Sequence, residues 1–354
     1  MPSPATPAQR KLTARTRASR WLYGHMLIGN IERLARATRH VPWWRPERAG
    51  VEVIADLPYA ATDHPRQRLD IYRPRDTPGP LPVALYIHGG GFRYFDRKTH
   101  WMIASHLARQ GYLVFNVDYR TSTEAPFPAA FDDCAQALLW VLANAGTYGG
   151  DTTRMIWAGE SAGANLVLAL TIAAHWPRPE PLARAIFDAA PAPAALLPAC
   201  GYLEISRPER HAEAYEIPKW MQVRIHEVSD IYLPDHAEGV AEHDLANPLT
   251  FLERAGAPAR GLPPAFTVVG DRDPVRGDSL RLPAALGRHG GRAELRVFEG
   301  AGHAFHGVPG RRQAGEAWAA QLEFAARCLA GGAGAGESAA GVAVAAAGRP
   351  VTAR

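Results

Sequence analysis

Apolar and polar positions along this chain follow two rhythms that alternate. Short runs of alternating or unbroken apolar residues at Val51–Ile54, Arg68–Tyr72, Leu81–Ile87, Tyr112–Val117, Met155–Ala158, Ala265–Val269 and Glu294–Phe298 predict strands. Between them the apolar spacing becomes helical. It does so at Ala18–Ala37, Thr99–Gln110 and Ala162–His175, and at Phe131, Cys134, Ala135, Leu138, Leu139 and Leu142. Lys219–Ile231 and a closing segment with Trp318, Leu322, Ala325 and Leu329 on one face predict two more helices. Strands alternating with helices predict an α/β fold, with a mostly parallel sheet covered by helices on both faces. Ala185-Ile186-Phe187 reads as a further strand, after which residues 191–250 break the alternation with Pro, Tyr and Trp.

These rhythms divide the chain. Residues 1–19 and the Gly/Ala-rich 331–354 are expected to be disordered, because neither can form a packed core. Residues 20–50 are expected to form an N-terminal arm of a helical cap, and 191–250 a cap insertion. The core is then 51–190 with 251–330.

Composition narrows the class. Of 354 residues, 47% are hydrophobic and 21% charged, which suits a globular protein with a large core. The net charge is only +4, and no basic stripe interleaves with aromatics, so nucleic acid is not an expected partner. The three cysteines, Cys134, Cys200 and Cys328, have neither metal-ligand spacing nor the even count of a disulfide framework. No apolar run is long enough to span a membrane, and the N-terminus lacks the apolar stretch of a secretory signal. A cytoplasmic location is the expectation.

The chemistry is concentrated in three motifs. Gly159-Glu160-Ser161-Ala162-Gly163 sits between the strand ending at Ala158 and the helix beginning at Ala162. A G-x-S-x-G on a sharp strand-to-helix turn holds its serine hydroxyl out above the sheet. The Ala162 N–H at the helix start faces the place where a carbonyl oxygen becomes negative. The second motif, His88-Gly89-Gly90-Gly91-Phe92, follows a buried strand, and such a glycine loop supplies oxyanion donors in esterases and lipases. It has neither G-x-G-x-x-G spacing nor the Gly-Lys-Ser/Thr of a phosphate loop. His88 is expected to brace this loop. The third motif is acidic, Gly270-Asp271-Arg272-Asp273-Pro274, and lies at the C-terminal end of a strand. Gly302-His303-Ala304-Phe305-His306 follows the last strand, so the order is Ser, Asp, His. Alternate residues of an extended chain point the same way, so periodicity does not separate Asp271 from Asp273. No third metal ligand lies near His303 and His306 in sequence, so no metal is expected.

His88-Gly89-Gly90-Gly91-Phe92, Asp118-Tyr119-Arg120, Phe127-Pro128-Ala129-Ala130-Phe131-Asp132-Asp133 and Gly159-Glu160-Ser161-Ala162-Gly163-Ala164-Asn165-Leu166 run in one order and spacing. Over roughly residues 65–306 the chain thereby resembles the hormone-sensitive-lipase-like family of α/β-hydrolase carboxylesterases. In that family Asp273-Pro274-Val275 matches an Asp-Pro-Leu and His303-Ala304-Phe305 a His-Gly-Phe. The chain departs from the family at Thr121-Ser122-Thr123-Glu124, at Gly277-Asp278, and at Glu160, where Asp is commoner.

The resemblance implies an α/β-hydrolase fold with a helical cap and a serine carboxylesterase using Ser161, His303 and Asp273. Gly90, Gly91 and Ala162 would hold the oxyanion. Phe92, Tyr94 and Trp220 would contact substrate, with Trp43, Trp44 and Tyr202 as further aromatic candidates. It implies short- to medium-chain or bulky-alcohol esters, a small-molecule partner and no cofactor, and leaves homodimer formation open. An amidase or lactonase would use the same triad. A non-catalytic receptor, like the plant gibberellin receptors that resemble this family, would lack the catalytic histidine.

Overall fold

The computed structural model describes residues 28–234, 243–331 and 343–346. Expectations for residues 1–27, for 332–342 and 347–354, and for the side chain of Trp43 lie outside the described residues.

A nine-stranded sheet runs in the order β1-β2-β4-β3-β5-β6-β7-β8-β9. Its strands are β1 (Val51–Pro58), β2 (Arg68–Pro74), β3 (Leu81–Ile87), β4 (Leu113–Val117), β5 (Gly150–Glu160), β6 (Ala195–Ala199), β7 (Ala265–Gly270), β8 (Ala293–Phe298) and β9 (Ala343–Ala346). β1 and β2 pair antiparallel, β2 pairs antiparallel with β4, and all remaining neighbours are parallel.

The pleat explains the unbroken apolar runs. In β3, Val83, Leu85 and Ile87 enter one apolar cluster, while Ala84 and Tyr86 enter the cluster on the opposite face. The first face is covered by α3 (Ala129–Asn144), α4 (Ala162–His175) and α5 (Pro181–Ala189). The second is covered by α2 (Trp101–Arg109) and α10 (Arg312–Gly331). Every residue of α4 is buried, as its lack of a polar side requires.

The order also locates the site. From β3 the chain crosses by α2 to β4 on one side, then returns by α3 to β5 on the other. The direction of winding therefore reverses between β3 and β5. A crevice opens at the C-terminal ends of the strands at such a switch point. The glycine loop follows β3 and the serine turn follows β5, so both edges of the crevice carry a motif.

Three expectations are corrected. Ala185-Ile186-Phe187 is not a strand but part of α5, with Pro181 in its first turn and Ala183 and Ile186 turned inward one turn apart. A three-residue apolar run fits either period, and length decides. The strand is instead β6, inside the interval assigned to the cap, where Pro198 in the run argues against a strand on sequence grounds. The insertion thus runs from the end of β6 to α8 (Pro248–Arg254) and contains α6 (Arg210–Ala214) and α7 (Lys219–Tyr232). Third, Ala343–Ala346, within the segment expected to be unstructured, pairs with β8. An open sheet edge offers unpaired N–H and C=O groups, and pairing with it requires no core of its own.

The N-terminal arm is fastened to the loop after β3. In α1 (Gly29–Thr38), Glu32 accepts the Phe95 N–H at 2.6 Å and Arg36 pairs with Asp96 at 2.6 Å. The Trp101 indole donates to Ala35 O at 2.9 Å.

Candidate active site

The serine turn is forced by packing. Ser161 has φ 52° and ψ −113°, a conformation that L-residues reach only under constraint. The constraint is the approach of α4 to β3. A Cβ on Gly163 would lie 2.1 Å from Ile87 O, so only glycine lets the helix begin there. The Ser161 N–H donates to Ala199 O at 2.9 Å, which ties the turn to β6.

Residues far apart in sequence meet at this hydroxyl. Ser161 Oγ is 2.9 Å from His303 Nε2, and His303 Nδ1 is 2.8 Å from Asp273 Oδ2. A carboxylate accepts only, so Nδ1 carries the proton and Nε2 is free to accept from the serine. Asp273 is fully buried, and its Oδ1 accepts the Val275 N–H at 2.9 Å. Burial by itself would lower the His303 pKa, but the facing Asp273 carboxylate outweighs it and raises it, with Glu160 adding to the rise.

Asp271 and His306 are placed elsewhere. The chain turns after β7, with Asp273 N–H donating to Gly270 O, so Asp271 and Asp273 do not share a direction. Asp271 accepts the Gly300 N–H at 2.7 Å and braces the histidine loop from outside. His306 is buried, with Nε2 3.1 Å from Glu160 Oε2.

Glu160 is the feature that sequence reading did not interpret. Its carboxylate is buried next to Ser161 in the chain and also accepts His100 Nε2–H at 2.9 Å. Burial would raise its pKa, but hydrogen bonding from His100 and His306 prevails and holds it well below the ordinary carboxylate range. The same bond holds His100 above its ordinary value against burial. The only sequence signal was Glu in place of the commoner Asp. Asp278, another departure from the family, is buried and accepts the Leu203 and Glu204 N–H groups at 2.7 and 3.1 Å, fastening α9 (Arg276–Gly287) to the segment after β6.

In the glycine loop, Gly90 has φ 113°, and a Cβ there would lie 2.1 Å from Tyr94 O. Its carbonyl accepts the N–H groups of Arg93 and Tyr94, which closes the loop over the crevice. His88 is fully buried, with Nδ1 2.7 Å from Gly89 O and Nε2 3.1 Å from Asp118 Oδ1, a bracing position. Gly90, Gly91, Ser161 and His303 line one cleft of about 260 Å³. One wall is α7, through Met221, Ile225, Val228 and Ile231, and Ile28 closes another side. Tyr94, Trp220 and Tyr202 line it as well. Phe92 does not: it is fully buried and stacks on Tyr232 at 3.6 Å, holding the loop to α7. Trp44, half exposed, is not among the lining residues.

This arrangement can take a proton from a serine hydroxyl in an apolar cleft beside a backbone-lined loop. Comparisons with known proteins identify the fold family. The pattern of a family described as alpha/beta hydrolase fold matches residues 84–307. Carboxylesterase NlhH of Mycobacterium tuberculosis is 32% identical over 226 residues, covering 64% of this chain and 66% of that protein. Mouse hormone-sensitive lipase is 34% identical over 103 residues, 29% of this chain and 14% of that protein. Among solved structures, esterase LipW from Mycobacterium marinum superposes with a TM-score of 0.68 at 26% identity, covering 88% of this chain and 90% of that one. No helix among the described residues is long and apolar enough to cross a membrane.

Proposed function

The chain belongs to the α/β-hydrolase fold family, together with hormone-sensitive lipase and carboxylesterases, and from that premise we propose that it is a serine carboxylesterase. The observation that carries the reading is the unbroken relay Ser161 Oγ–His303 Nε2 at 2.9 Å and His303 Nδ1–Asp273 Oδ2 at 2.8 Å, opening on an apolar cleft. Ser161 attacks the ester carbonyl while His303 takes its proton. Asp273 holds the imidazole tautomer and stabilises the imidazolium. The N–H groups of Gly90, Gly91 and Ala162 receive the oxyanion, one such donor being worth roughly 3–4 kcal/mol. His303 then protonates the leaving alcohol, and water releases the acyl group by the same route in reverse.

The cleft's volume and its aliphatic wall on α7 favour a short- to medium-chain acyl group or a compact apolar alcohol. The test is hydrolysis of p-nitrophenyl esters of increasing acyl length, alongside esters of bulky alcohols. Rates that peak at short chains support the reading, and absence of turnover on every ester removes it.

Asp273→Asn is expected to keep the fold but lower kcat about 10⁴-fold, because an amide no longer holds the Nδ1–H tautomer. Asp271→Asn, at a side chain that accepts the Gly300 N–H and not His303, should cost a few-fold at most. Steady-state kinetics with matched melting curves separates the two, and the reverse ranking would reassign the acid.

Glu160→Gln is expected to move the acid limb of the kcat/KM profile to lower pH. The base must be neutral to act, and both Asp273 and Glu160 raise the His303 pKa. Removing one of these charges lets activity persist to lower pH, while kcat falls as the links to His100 and His306 weaken. An unmoved limb would show that Glu160 acts by packing alone.

A further inference from the structure

We propose that Cys200, Asp273 and His303 form an inhibitory binding site for a soft divalent cation. The sheet order creates the cluster. β6 lies between β5 and β7, so the residue that follows β6 must emerge between the serine after β5 and the acid after β7. That residue is Cys200, fully buried, with φ 39° and its N–H bonded to Val268 O at 2.8 Å. The histidine loop after β8 arches over the same place. One ligand atom from each of Cys200, Asp273 and His303 lies within 4.8 Å of the other two. In a tetrahedral site with metal–ligand distances of about 2.0–2.3 Å, ligand atoms stand roughly 3.3–3.8 Å apart, so modest side-chain adjustment suffices. A thiol, an imidazole and a carboxylate make a donor set that suits zinc and cadmium and is a poor match for magnesium or calcium. The hydrolytic mechanism gives this thiol no task.

Binding would inhibit by trapping a tautomer. In the active arrangement His303 carries its proton on Nδ1, facing Asp273, and accepts at Nε2. A cation between Cys200 and Asp273 takes the Nδ1 lone pair, so the single proton of the neutral ring moves to Nε2. Nε2 then has no lone pair for the Ser161 proton. The Cys200 S–H bond breaks as the metal–sulfur bond forms, and that proton leaves to solvent. Asp273 changes from hydrogen-bond acceptor to ligand.

The experiment uses the full chain, cadmium chloride as the probe, and two variants, Cys200→Ala and Cys200→Ser, so that a folding defect in one does not decide the matter. The wild type should show saturable cadmium–thiolate charge-transfer absorbance at one equivalent and at least tenfold loss of p-nitrophenyl butyrate hydrolysis, restored by EDTA. Both variants should keep their basal rate, lose that absorbance and need at least tenfold more cadmium for equal inhibition. Variants that bind and are inhibited like the wild type, or a wild type without the absorbance, would overturn the proposal. The rate measurement rests on the esterase reading. The absorbance does not, so a protein that hydrolyses no ester still tests the site.

Discussion

Ser161→Ala should lower kcat by about 10⁶-fold with no change in melting temperature beyond a degree or two, because it removes the bond-forming atom and little else. The side chain is small and the strained turn is held by Gly163 against Ile87 O and by the Ser161 N–H to Ala199 O, neither of which needs the hydroxyl. A fluorophosphonate probe should label the wild type at Ser161 and leave the variant unlabelled. Residual catalysis through bound water and the oxyanion loop should remain about 10³–10⁴ above the uncatalysed rate. Labelling that persists in the variant would place the nucleophile elsewhere.

His303→Ala should lose a similar factor, about 10⁶, since serine and base act as one unit and removing either disables both. His306→Ala provides the contrast. Its ring touches Glu160 and not Ser161, so it should keep turnover within roughly an order of magnitude while the histidine loop loosens. The pH dependence gives a second check. Wild-type kcat/KM should fall as pH drops through the raised His303 pKa, and the small residual rate of His303→Ala should show no such limb. A dead His306→Ala beside an active His303→Ala would move the base three residues along the chain.

Legibility in the sequence followed how local each requirement was. The helix from Ala162 to His175 is legible because all its positions but Asn165, Thr171 and His175 are apolar or glycine and one motif starts it. β3 and β7 were equally plain, being buried on both faces. Phe92 was misplaced because an aromatic beside a glycine loop can face either the cleft or α7, and only the packing of Tyr232 settles which. β6 was missed because Pro198 is unusual in a strand, yet its neighbours pair on both sides. The two aspartates after β7 are hard to tell apart for a related reason. Asp271 and Asp273 share a direction in an extended chain, but the turn after Gly270 separates them.

By itself, then, the sequence determined the pieces whose geometry is fixed within a few residues: the serine turn, the glycine loop, the strand–helix alternation and the order of serine, acid and histidine. Each depends on local backbone sterics or on side-chain period, which neighbouring residues specify. The tertiary structure alone decided which groups meet. Ser161 and His303 lie 142 residues apart yet sit at hydrogen-bond distance. The bridging of His100 and His306 by Glu160, the wall that α7 adds to the cleft and the emergence of Cys200 beneath the relay are likewise consequences of strand order. Such contacts arise where separate segments end at one edge of a sheet, and no spacing along the chain encodes that edge.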